Sequence, residues 1–217
     1  MTFLQFKLLS DACFSSGMGF AGEVDTDIDQ ETDTGLPTIR GRTIKGLLLE
    51  ECTLLLNVFN DPKWLMAAHK LFGKPGQADC SYLKVSNAYL PAKFRQEVHN
   101  ALNRPKHPLS KIDILHSLTS IRYQTRISYE TGAPQEHSLR STRLALKGLE
   151  FYSQIFLPLD VSDVEKALIA GCVLSLRRCG LNRNRGWGRT RVRVIDNDRD
   201  VTADWAANLQ INEGGSK

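Results

Sequence analysis

Three stretches of the sequence hold residue types that could do chemistry. In Gly180-Leu-Asn182-Arg183-Asn-Arg185-Gly186-Trp187-Gly188-Arg189, arginines alternate with glycines and asparagines. Arg183, Arg185 and Arg189 offer fixed charge and forked donors that suit phosphate. Asn182 adds neutral donors, and Gly186 and Gly188 let backbone approach a bulky ligand. Trp187 either stacks on a base or pins the loop to the core. The second stretch is Leu36-Pro-Thr-Ile-Arg40-Gly-Arg42-Thr43-Ile-Lys45-Gly46. Thr43 is placed to cap a following helix, and helix-start amides attract anions. Arg40, Arg42 and Lys45 oppose the helix dipole there, which a bound phosphate would explain and plain surface charge would not require. The third is Asp25-Thr-Asp27-Ile-Asp29-Gln-Glu31-Thr-Asp33. An EF-hand loop needs Gly at its sixth place and Glu at its twelfth; Gln30 and Leu36 stand there. The run then reads as a loose site for a hydrated divalent ion, as a carboxylate acting on the 2′-hydroxyl of RNA, or as a solvated loop.

Charge is divided between these stretches. The net charge is only +4, yet residues 23–33 carry six carboxylates and no base, while residues 177–193 carry seven arginines and no acid. That division suggests a basic surface for phosphate beside an acidic site. The 217 residues, 41% hydrophobic and 24% charged, describe a globular chain able to bury a core. No apolar run is long enough for a membrane span, and Met1 to Ser10 lack a signal-peptide layout. Five dispersed cysteines (Cys13, Cys52, Cys80, Cys172, Cys179) argue against a disulfide framework and for a reducing cytoplasm.

The elements that would position these residues follow from periodicity. Thr2–Leu9 reads as a strand and 10–41 as a long loop holding the acids. Thr43–Phe59 reads as a largely buried helix. A second helix starts at Asp61-Pro62 and stops at Gly73-Lys74-Pro75-Gly76. Tyr82–Leu90 alternates as a strand, and 91–103 reads as a short helix. Residues 105–147 are the least core-like, with 118–129 and 139–147 as arms of an exposed extension. Glu150–Leu159 reads as a strand. Ser162-Asp-Val-Glu165 is a capping box opening a helix to Arg178, which Gly180 is placed to end. Arg189–Ile195 is the last strand, and 196–217 a tail with little core. The expectation is an α+β fold with a ferredoxin-like (RRM-like) βαββαβ core, carrying extended loops and an insertion, in one domain over 1–195.

In this order, the pieces resemble the repeat-associated mysterious proteins (RAMPs) of CRISPR effector complexes, and most of all the backbone (Csm/Cmr-type) subunits of type III complexes. Gly180 to Arg189 resembles that family's glycine-rich loop before the last strand. Leu36-Pro37 through Lys45-Gly46 resembles its helix-start motif, and Leu71-Phe72-Gly73 with Leu83–Leu90 its next block. The resemblance covers Ser10 to Val194. It departs from the family at Leu181, where a second glycine is common, and at Arg40, where proline is.

The resemblance implies function residue by residue. Guide RNA (crRNA) backbone would be held by Arg40, Arg42, Lys45, Asn182, Arg183, Arg185, Gly186, Trp187, Gly188 and Arg189. A thumb within 105–147, bearing Tyr123, Arg126, His137, Arg140 and Arg143, would displace a nucleotide of the guide–target duplex. The family's catalytic aspartate lies about a dozen residues before the motif's proline, which gives Asp25 by counting back from Pro37, with Asp27 and Asp29 as alternates. A divalent metal ion, Mg2+, would sit at Asp25 and Asp27. The implied activity is endonucleolytic cleavage of target RNA within a complex, beside neighbouring RAMP and other effector subunits, in a prokaryotic cytoplasm and away from membranes. The competing reading keeps the fold and drops the chemistry, as a structural RNA-gripping subunit. A guide-processing ribonuclease ranks lower, because no histidine precedes His69. An RNA-recognition module would show an aromatic strand signature that is absent.

Overall fold

The computed structural model describes residues 1–15, 17, 19, 23–74 and 81–209. The expectations placed on Pro75-Gly76, Cys80 and the end of the tail lie outside those residues. The chain begins with β1 (Thr2–Leu8), in which Leu4, Phe6 and Leu8 are buried and Lys7 is exposed. It continues through α1 (Gly41–Phe59), α2 (Pro62–Phe72), β2 (Lys84–Val85), α3 (Ala92–Leu102) and α4 (Lys111–Leu118). Then come β3 (Thr119–Gln124), β4 (Arg140–Ala145), β5 (Glu150–Phe156), α5 (Asp163–Ser175), β6 (Thr190–Asp196), β7 (Arg199–Asp200) and α6 (Thr202–Ala206).

The main sheet runs β2-β5-β1-β6-β7. Each neighbouring pair is antiparallel, so β1 runs parallel to β2 and β5 parallel to β6. Those two parallel relations, each spanned by helices, make two interleaved βαβ units, the split βαβ arrangement expected of a ferredoxin-like core. One face of the sheet buries Leu4, Phe6, Phe151, Ile155, Val192 and Val194, and α1, α2 and α5 pack together, with α5 against β6. The other face is polar: Gln5 Nε2 and Lys7 Nζ both donate to Glu150. β3 and β4 form a separate two-stranded sheet, in register from Thr119↔Ala145 to Gln124↔Arg140.

Several local expectations are corrected. Thr43 is not the helix cap; Arg40 holds that position without a side-chain bond, and Asn87 Oδ1 accepts from Gly41 N at 2.9 Å. The expected 82–90 strand is broken after Val85: Ser86 stays hydrogen-bonded to Gln154 of the β5 strand, and Asn87 turns to meet the start of α1. Gly41 is required there, since a Cβ would lie 2.3 Å from Val85 O. Helix α5 opens on the expected Ser162–Glu165 capping box but ends at Leu176, so Gly180 is not its stop. Gly180 instead lies against Cys13, whose carbonyl a Cβ would approach to 2.5 Å. The tail is not core-poor, because Thr202 is buried and Val201, Trp205 and Leu209 pack on the core. Nor is 105–147 uniformly exposed. Helix α4 has its own Ser110–Asp113 capping box and buries Ile114 and Leu115, and β4 is buried from Ser141 to Ala145.

The four described cysteines are free thiols buried in the core. Burial pushes Cys13 and Cys179 up to about 12, so both stay protonated at neutral pH and are poor nucleophiles. Peptide-mapped alkylation of the native protein at pH 8 is expected to leave Cys13, Cys52, Cys172 and Cys179 unmodified until denaturant is added. Rapid native labelling of any of the four would contradict this core.

Candidate nucleic-acid interface

The acids occupy every second position from Glu23 to Asp33; the chain is extended from Val24 to Glu31 and turns at Thr32–Thr34, so the acids of the extended part tend to share a face. They do not converge on one point. Asp25 Oδ2 accepts from Ser141 N at 2.6 Å and from Ser141 Oγ at 2.9 Å. Asp27 Oδ1 accepts from Arg143 Nε at 3.1 Å and from Ile28 N at 2.8 Å. Glu23 Oε2 accepts from Arg143 Nη2 at 2.6 Å. Asp29 is ion-paired with Arg40, and Glu31 takes a two-point pair from Arg95, both bonds at 2.8 Å. The run therefore stitches the β3–β4 hairpin, α1 and α3 together through five carboxylates.

The backbone of this loop pairs with β4 as well. Asp25 N and Thr26 N both donate to Ser141 O, Arg143 N donates to Thr26 O, and Ala145 N donates to Ala12 O. The loop then meets the glycine-rich segment: Leu181 N donates to Cys13 O and Gly188 N to Asp11 O. Gly188 is buried at φ 70°, with Cys179 O only 1.8 Å from where a Cβ would stand, so no other residue fits.

Asp25 differs from Asp27 and Asp29 in being exposed. Its pKa is lowered, first by the Ser141 amide, then by the Ser141 hydroxyl, with Arg140 adding to the effect. Among the described residues its Oδ1 has no partner. Next to it lies a cleft of about 590 Å³ between the hairpin and the glycine-rich loop. Thr26 and Thr142 line it together with Arg126, His137 and Arg140 from the hairpin and Asn182 and Arg185 from the loop. Arg185 Nη1 also reaches Gln124 Oε1 at 3.4 Å.

The remaining expected site residues are distributed around this centre. Arg183 turns away and pairs with Glu50 on α1, at 3.0 and 3.3 Å. Arg189 lines a separate groove with Arg177, Arg178 and Arg191. Gly186 bends the loop at φ 84° and accepts from Ser10 Oγ at 3.1 Å. Trp187 is half-buried against the core, the pinning arrangement. Arg42 is exposed near the start of α1, while Lys45 binds Ser81 Oγ and has its pKa lowered by burial. Neither they nor Arg40 lines the cleft. Tyr123 is exposed on β3, whereas Arg143 is only 1% exposed and held by Asp27 and Glu23.

A magnesium ion prefers a near-octahedral oxygen shell, held by one or two carboxylates with waters and substrate phosphates. Among the described residues no group of three or more His, Cys, Asp or Glu is disposed to hold a metal. Asp27 is committed to Arg143 and Ile28, so the pair Asp25 and Asp27 does not fit as a cage. Ser141 and Arg143 are the residues whose positions sequence reasoning misread or missed. The signal for them was the strict alternation of acids, which marks an extended segment needing a partner strand rather than a metal loop.

A split βαβ sheet with an inserted hairpin and a glycine-rich loop before its last long strand defines an α+β class with a ferredoxin-like core. The chain belongs to the RAMP superfamily, whose sequence profile matches residues 5–191. It is similar to a chain in the cryo-EM structure of the type III-B Cmr-beta bound to cognate target RNA, with 12% identity and a TM-score of 0.65 over 94% of this chain and 98% of that one. It is likewise similar to a chain of type III-B Cmr-beta in the apo state, with 13% identity and a TM-score of 0.65 over 91% and 98%. At these identities the likeness is one of fold. No curated protein matches the chain. Among the described residues, no helix is long and apolar enough to cross a membrane.

Proposed function

We propose that the chain is a subunit of a type III CRISPR effector complex, in a prokaryotic cytoplasm, that grips guide RNA backbone and cleaves target RNA through Asp25. The observation that carries this reading is an exposed carboxylate, with one oxygen unpartnered among the described residues, fastened beside a cleft lined by Arg126, Arg140 and Arg185. Base pairing supplies sequence recognition, so the protein need hold only backbone. The hairpin serves as the thumb. Its connection between β3 and β4 is largely exposed and can displace one target nucleotide, opening the in-line geometry that attack by a 2′-hydroxyl requires. The arginines offset phosphate charge as it builds in the transition state. The Ser141 amide lowers the pKa of Asp25, and the oxygen that Ser141 does not engage is suited to accepting a hydrogen bond from the 2′-hydroxyl and orienting it.

A second reading, a structural subunit without catalysis, is favoured by the two Ser141 hydrogen bonds, which would suit a purely architectural Asp25. Single-turnover cleavage of guide-matched RNA by the assembled complex separates the two. Loss of cleavage in Asp25→Asn supports the first, and wild-type cleavage the second. For the grip itself, Arg183→Ala, Arg185→Ala and Arg189→Ala combined are expected to weaken RNA binding and flatten its salt dependence by about two units of slope. An unchanged slope would remove this loop from the RNA contact.

A further inference from the structure

We propose that Ser141 is a positioning residue for cleavage: it sets the orientation of the Asp25 carboxylate, so that β4 both lines the RNA cleft and aims the group acting on the RNA. This rests on the reading of Asp25 given above. Residues 25 and 141 are joined four ways. Ser141 N and Oγ donate to Asp25 Oδ2, while Asp25 N donates to Ser141 O at 3.1 Å and to Ser141 Oγ at 3.0 Å. The hydroxyl therefore bridges the carboxylate and its own backbone amide, which holds both the side-chain rotamer and the chain beneath it.

Strand alternation gives this contact its meaning. Odd-numbered residues of β4 point their amides at the acidic loop, through Ser141, Arg143 and Ala145. Even-numbered Arg140 and Thr142 line the cleft. Thr26 bridges in parallel to Thr142 and lines the same cleft. A displacement of β4 by RNA in the cleft is thus carried to Asp25 over one residue of rigid strand. A side chain misaimed by a fraction of an ångström loses rate at the chemical step rather than affinity.

The test uses the assembled complex with guide RNA, titrated with matched target under single-turnover conditions. The variants are Ser141→Ala, Ser141→Thr, Asp25→Ala and the Ser141→Ala/Asp25→Ala double. Ser141→Ala keeps the backbone donor and loses the hydroxyl, so the maximal rate is expected to fall about 10-fold, with half-saturating target concentration unchanged within about twofold. Ser141→Thr, which keeps the hydroxyl on a strand-favouring residue, is expected to restore the rate. The double variant is expected to be no slower than Asp25→Ala alone, since both act through one group. A wild-type rate in Ser141→Ala, beside a dead Asp25→Ala, overturns the positioning role and leaves the Asp25 reading intact. Weaker target binding in Ser141→Ala that Ser141→Thr does not restore also overturns it, assigning the hydroxyl to the fold of the hairpin. Wild-type cleavage by Asp25→Ala overturns the underlying reading, a result distinct from either.

Discussion

Replacing Asp25 with alanine in the assembled complex is expected to slow target-RNA cleavage by about 10²- to 10⁴-fold while leaving RNA affinity unchanged or slightly higher. The affinity expectation follows from charge. A carboxylate beside a cleft that takes phosphate repels it, so removing the charge cannot weaken binding through electrostatics. The rate expectation follows from exposure: Asp25 is exposed, whereas Asp27 and Asp29 are 6% and 7% exposed and are paired with Arg143 and Arg40. Asp27→Ala should therefore lower stability before it touches chemistry. Cleavage-dead behaviour confined to Asp27 or Asp29, with Asp25→Ala active, would move the catalytic carboxylate elsewhere in the run.

Arg143→Ala is expected to cost about 3–5 kcal/mol of folding stability, the usual consequence of removing one partner from a buried ion pair. The guanidinium is 1% exposed and satisfies Asp27 and Glu23 together, with Thr119 Oγ1 a third acceptor at 3.4 Å. Without it, Asp27 keeps its desolvation penalty and loses its counter-charge. Urea denaturation of the free subunit measures the loss. Replacing Arg143 with Met and Asp27 with Leu together should recover part of it, because the apolar pair removes both buried charges and leaves only the solvent-accessible Glu23 without its arginine. A variant with native stability but weakened RNA binding would return Arg143 to the thumb surface.

Much of the fold was legible because it is carried by local chemistry. Ser162 and Glu165 announced α5, and the apolar spacing of 43–59 announced α1, since capping and 3.6-residue periodicity act over a few residues. Ser110 and Asp113 follow the same pattern, but Pro105 and Pro108 just ahead of them favour a loop over a helix. The break at Ser86 was not legible, as it arises from the start of α1 pressing on β2. The burial of Arg143 was hidden for a related reason. A charged residue in a strand defaults to solvent, and only its long-range partners Asp27 and Glu23 bring it inside. Of the site, the glycine-rich loop could be read because Gly186 and Gly188 are required by backbone geometry. The division of labour among the acids could not, because it depends on which strand lies alongside.

The every-other-residue spacing of the acids also constrains how this chain can change in length. Deleting one residue between Asp25 and Glu31 would turn the carboxylates beyond the cut to the opposite side of the extended segment. Depending on the cut, that would take Asp27 from Arg143, Asp29 from Arg40 or Glu31 from Arg95 in a single step, with Glu23 alone left on Arg143. Removing a Thr26–Asp27-sized pair of residues would preserve the facing of those that follow while shifting each acid to the next cation along. Length variation in this segment should therefore be tolerated, where it is tolerated at all, in steps of two, and a series of deletions of one, two, three and four residues would show it as an alternation of unfolded and folded products.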